Sequence, residues 1–96
     1  MRIRFKPEAE AELAEARAWY SLQRQGLDAQ LMMRIDEALQ RIVQAPEAYP
    51  TVYRQLRRAV IRQFPFAIFY EMTTDEVRVI AVFHSRRDPR SLQSRV

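Results

Sequence analysis

Three observations on the sequence predict an α+β fold in the order β-α-α-β-β-β. Ile3 and Phe5 alternate with Arg2, Arg4 and Lys6; two helical-period stretches follow; after Pro50 the apolar period changes to that of strands. Such a chain buries its apolar faces by packing an N-terminal strand and helical hairpin on one mainly antiparallel sheet. A length of 96 residues suits a single domain spanning the whole chain.

The first strand ends before Pro7, which fits a first helical position, and Glu8, Glu10 and Glu12 complement the positive end of the helix dipole. Ala9, Leu13, Ala16 and Tyr20 recur at helical spacing, with Trp19 beside them, so a helix is expected from about Pro7 to Arg24. Lys6 is a poor cap for it. Gly26, the single glycine, breaks the chain, and Asp28 is the expected N-cap of a second helix whose Leu31, Ile35, Leu39 and Ile42 form one stripe. Pro46 and Pro50 end that helix, and the short link makes the pair an antiparallel hairpin.

A strand is expected from near Arg57 to about Gln63, with Pro65 breaking the ladder. In the next strand Phe66, Ile68, Tyr70 and Met72 share one face, and Ala67, Phe69 and Glu71 the other. Thr73–Glu76 turns the chain. Val77, Val79, Ala81 and Phe83 then alternate with Arg78, Ile80, Val82 and His84. Both faces are largely apolar, which places this last strand inside the sheet.

Composition excludes several classes. There is no cysteine, hence neither a disulfide framework nor a thiolate metal site, and one histidine leaves no clustered ligand set for a metal. No cofactor is expected. A lone glycine cannot build a phosphate-cradling loop. No apolar run has the length of a membrane span, and Met1–Lys6 carries no signal-peptide core, so a cytoplasmic protein without membrane contact is expected.

The net charge is +4, unevenly spread. Residues 1–48 hold seven basic and eight acidic side chains, and residues 49–96 hold nine basic and four acidic, so the basic surface belongs to the second half. All but Lys6 of the basic residues are arginines, whose forked guanidinium suits carboxylates and phosphates. Arg54, Arg57, Arg58 and Arg62 form one run, and Arg86, Arg87 and Arg90 follow His84 where the last strand ends. These eight residues are the candidate binding set for an acidic partner or a phosphate backbone. Adjacent Ser85 and His84 point to opposite sides of a strand, which argues against a serine–histidine couple. Metal-free ribonuclease chemistry would use His84 as acid or base, Glu71 as a second carboxylate and Arg86, Arg87 or Arg62 as cations. The structural alternative for His84 is a strand-end side chain satisfied by backbone or by a carboxylate.

The opening Lys6-Pro7-Glu8-Ala9, the helical hairpin, the segment Arg62–Glu71 and the strand ending Val82-Phe83-His84-Ser85-Arg86-Arg87-Asp88-Pro89 together resemble the RelE/ParE toxin superfamily, its ParE-like branch above all. The resemblance covers almost the whole chain; the aromatic strand and the His-x-Arg-Arg-Asp ending are its specific part. It implies a bacterial type II toxin, also termed a plasmid stabilisation protein, neutralised by a cognate antitoxin and reaching operator DNA only through that antitoxin. ParE members inhibit DNA gyrase by binding, without catalysis. RelE-like members cleave mRNA on the ribosome. Here Ala67 stands where such nucleases place an arginine, no tyrosine follows Arg87, and the region just before the hairpin of the last two strands has no lysine. The resemblance therefore favours a non-enzymatic gyrase inhibitor. The alternatives are a ribosome-dependent endoribonuclease using His84, Arg86 and Glu71, or a non-toxic homologue serving as a binding module.

Overall fold

The computed structural model describes residues 1–96. In chain order it contains β1 (Arg2–Phe5), α1 (Pro7–Gln23), α2 (Leu27–Gln44), β2 (Thr51–Tyr53), β3 (Leu56–Val60), β4 (Phe66–Met72), β5 (Glu76–His84) and a C-terminal 3-10 helix (Pro89–Arg95). The five strands form one sheet in the order β1-β5-β4-β3-β2. β1 runs parallel to β5, and every other pairing is antiparallel. The expected α+β architecture is present, and β5 lies inside the sheet as its two apolar faces require.

The helical hairpin covers one face. Leu31, Ile35, Ala38 and Ile42 of α2 and Ala9 and Ala16 of α1 meet Ile68, Tyr70, Val77, Val79 and Val82 in the larger core. The opposite face holds a smaller core of Leu56, Ala67, Phe69, Ile80, Ala81 and Phe83, closed by Leu92 of the 3-10 helix. Glu76 of β5, almost buried, ties β5 to β1 through Arg4 at 3.5 Å and also pairs with Arg78 of its own strand at 3.4 Å.

Four local details depart from the sequence reading. Gly26, not Asp28, is the N-cap residue of α2: its φ of 83° is a left-handed conformation natural to glycine, and Asp28 lies one residue inside the helix, in the first turn, without a capping hydrogen bond. The strand expected to reach Gln63 stops at Val60, because Gln63 takes a φ of 74° and turns the chain before Pro65. β2 and the 3-10 helix carry too little periodicity to read from sequence; both are short and stabilised by neighbours. Finally, β5 does not alternate throughout. Tyr70 pairs with Val79 and Phe69 with Ala81, leaving Ile80 as an extra residue. This bulge switches the phase, so Val77, Val79 and Val82 face the helices while Ile80, Ala81 and Phe83 face the smaller core.

No helix is long and apolar enough to cross a membrane.

Candidate binding surface

Strand alternation divides the arginines of the first run. Arg57 points to the helix side, where its guanidinium donates to the carbonyls of Glu47 (3.2 Å) and Tyr49 (2.6 Å). It is a brace for the chain between α2 and β2, where backbone carbonyls have no sheet or helix partner. Arg58, one residue on, points to the opposite face and reaches the Ser85 carbonyl at 3.4 Å. Arg54 occupies the β2–β3 turn at a φ of 54°, its guanidinium 5.1 Å from the Tyr53 ring. Arg62 is 69% exposed and lies 3.8 Å from Glu37, which also holds Arg34 at 2.8 Å and Arg41 at 3.5 Å. Partial desolvation alone would raise the Glu37 carboxyl. The hydrogen bond and charge of Arg34, with Arg62 and Arg41, outweigh it and hold the carboxyl below its ordinary range. The first run is therefore not one patch: Arg57 and Arg62 serve the helix side, and Arg58 joins the end of β5.

At that end His84 is exposed, and its Nδ1 accepts the backbone N–H of Arg86 at 3.1 Å. A neutral imidazole that accepts at Nδ1 carries its proton on Nε2, which here presents a donor to solvent. The Arg86 side chain makes no hydrogen bond or ion pair. Arg87 lies with its guanidinium 4.4 Å from the centre of the Phe83 ring in a cation–π contact, and it makes no ion pair. Arg90 is neutralised: it grips Asp88 at 3.1 and 2.8 Å, and its N–H is capped by the same carboxylate at 2.9 Å. The Arg90 side chain and then its N–H lower the Asp88 pKa. His84, Arg86, Arg87 and Arg58 thus converge on one strand end, while Arg90 spends its charge locally.

Glu71 is not with them. Phe66 is the register partner of His84, whereas Glu71 is paired with Arg78, five residues along the same strand. At about 3.4 Å per residue the two side chains stand roughly 17 Å apart. The carboxylates near His84 come instead from α1: Glu12 and Glu15 line a groove of about 390 Å³ with Trp19, Phe66, Phe83 and Arg87. Sequence reasoning assigned Glu12 only to the helix dipole and gave Arg95 no role. The structure joins them at 3.0 Å across most of the chain, a proximity for which no local pattern exists. No group of three or more histidine, aspartate or glutamate side chains is arranged to hold a metal ion.

Comparison with known proteins agrees with this geometry. A family model described as the ParE toxin of the type II toxin–antitoxin system parDE matches residues 3–89. The toxin ParE2 of Mycobacterium tuberculosis, in strains CDC 1551 and H37Rv alike, is 25% identical over 96 residues, covering 99% of this chain and 91% of the relative. Among solved structures, a chromosomal ParDE system from P. aeruginosa superimposes with a TM-score of 0.73 at 16% identity, over 88% of this chain and 95% of that one, which shows a shared fold. With nearly its whole length matched by the family model, the chain belongs to the ParE toxin family of type II toxin–antitoxin systems.

Proposed function

We propose that this protein is a toxin that acts by binding, with DNA gyrase as its target, and that a cognate antitoxin neutralises it. Operator DNA is contacted through the antitoxin alone. Family membership supplies the toxin–antitoxin context, and the carrying observation for a non-catalytic mode is the separation of Glu71 from His84 by several strand positions. Glu71, the carboxylate assigned to a metal-free ribonuclease, stands apart from His84 and Arg86, and general acid–base catalysis needs its groups within hydrogen-bond reach of one substrate. Arg86, Arg87 and Arg58, which gather at the end of β5 beside His84, are cations suited to gripping acidic side chains.

The test is to induce the toxin alone in cells and follow growth, plasmid supercoiling, DNA damage and transcript integrity. Growth arrest with impaired supercoiling and intact transcripts is the expected result, relieved by co-expression of the antitoxin. Rapid cleavage of translated mRNAs with gyrase activity intact would replace this reading with a ribosome-dependent endoribonuclease. Normal growth despite a folded, abundant product would leave a non-toxic binding module. In the binding mode His84→Ala retains most of its potency; a nuclease relying on His84 would lose about 100-fold or more.

A further inference from the structure

The 3-10 helix Pro89–Arg95 runs for seven residues. That is long for its type: its hydrogen bonds are poorly aligned, and runs beyond three or four residues are uncommon, so it depends on what it packs against. Side chains three residues apart stand over one another on such a helix. Pro89, Leu92 and Arg95 accordingly share one face, and every other side chain of the helix is exposed. Leu92, with no exposure, joins Phe69, Ile80 and Phe83 in the smaller core. Arg95, one turn on, reaches α1, where its guanidinium donates to Glu12 Oε1 at 3.1 Å and Oε2 at 3.0 Å. It also donates to the Ile80 carbonyl at 3.4 Å, while Glu12 Oε1 accepts the Val82 N–H at 3.0 Å. One ion pair thus ties together α1, β5 and the C-terminal helix.

The Arg95 and Glu12 side chains are 20% and 18% exposed. A pair so shielded adds little net stability over an apolar contact of the same shape, but its fork fixes one orientation. That orientation governs the span Ser85–Asp88, which joins the end of β5 to the helix and carries Arg86 and Arg87. At its first end the span is held by the sheet and the strand end. The Ser85 N–H donates to the Pro65 carbonyl at 2.9 Å, and the Arg87 N–H donates to the His84 carbonyl at 3.0 Å. Its second end is the helix itself, whose position depends on Leu92 and Arg95.

We propose that Arg95 is a positioning residue for target binding. Through its clasp on Glu12 and Ile80 it holds the C-terminal helix on the sheet and so presents Arg86 and Arg87 in the arrangement that grips the target. This rests on the reading that the chain binds gyrase through those arginines. Without the clasp both guanidinium groups keep their charge but lose their fixed frame, and the cost of ordering them falls on the binding step.

Association and dissociation rates of purified gyrase on immobilised toxin test the assignment. The variant Glu12→Gln/Arg95→Gln keeps the net charge and an acceptor for Val82 but loses the ion pair. It associates at the parental rate and dissociates about tenfold faster, because charge steers encounter while fixed contacts set residence. Arg86→Ala/Arg87→Ala, which removes the charges themselves, slows association as well. Hydrogen exchange of the free double-glutamine variant quickens over residues 89–96 and stays parental in β4, which separates a loosened helix from a misfolded domain. If that variant does not fold, Arg95→Lys, with the charge but not the fork, takes its place and dissociates about threefold faster. Parental dissociation in the folded variant, or a helix that stays protected in it, overturns the proposal while leaving the binding reading intact. A parent that does not bind gyrase, or that binds as well without Arg86 and Arg87, overturns both.

Discussion

The two faces of the sheet are built differently. The helix-covered face buries a core of 14 residues, with α2 presenting a full stripe of Leu31, Ile35, Ala38 and Ile42. The opposite face has a core of seven, closed by one residue, Leu92, from a single 3-10 helix. Buried apolar area is the main favourable term in folding, so the first face holds the domain together. The second is thinly covered. Arg58 lies on it, and Phe83 from its core carries Arg87 at the strand end. The larger core lies on one side of these strands, and Arg58 of the proposed binding set lies on the other.

The largest expected effect sharpens that contrast. Leu31→Ala removes a side chain with no exposure from the larger core and should cost about 3–4 kcal/mol in urea unfolding; Leu92→Ala, at the rim of the smaller core, should cost about 2 kcal/mol. Equal losses would mean that the two faces are energetically alike. Next, Arg57→Ala leaves the Glu47 and Tyr49 carbonyls without their charged donor and should cost about 2 kcal/mol. The double variant Arg86→Ala/Arg87→Ala should instead unfold within about 0.5 kcal/mol of the parent while losing toxicity. If Arg57→Ala abolished toxicity without loss of stability, the division of arginines drawn above would fail.

Tyr70 gives a smaller effect with a pH signature. Burial, partly offset by the nearby Arg57 charge, pushes its phenol up to about 12, and its hydroxyl donates to the Pro46 carbonyl. Because the folded value lies above the ordinary value near 10, this contribution is complete below about pH 10. It fades as the pH rises toward 12. Ultraviolet titration should show a late tyrosine phase that Tyr70→Phe removes, with a stability loss of about 1 kcal/mol at neutral pH. A change of similar size is expected for Gly26→Ala. A Cβ there meets nothing within 4 Å, so only the left-handed backbone opposes it, at about 1 kcal/mol.

Much of this was legible from local pattern. The helical stripe of α2, the break at Gly26, the aromatic faces of β4 and the strand end at His84 each follow from periodicity and residue conformation. The bulge at Ile80 was not, because Val79–Phe83 is apolar throughout and a phase shift within an apolar run leaves no mark. The binding set was legible as residue types but not as a surface. Arg57 and Arg58 look alike in sequence, and only the pleat sends one to the Glu47 and Tyr49 carbonyls and the other to the end of β5. Arg90 reads as a free cation until Asp88 is seen to fold back on it.

The sequence by itself determined the α+β class, the order of the main helices and strands, the family and the basic character of the second half, since these rest on patterns within one segment or summed along the chain. Tertiary structure alone decided which charges remain available and how the open edge of β5 is closed. Glu12 and Arg95 are separated by nearly the entire chain, and their meeting at Val82 and Ile80 depends on the packing of α1, the sheet and the C-terminal helix together. Pairings of that kind are set by three-dimensional proximity, for which a linear sequence carries no periodic signal.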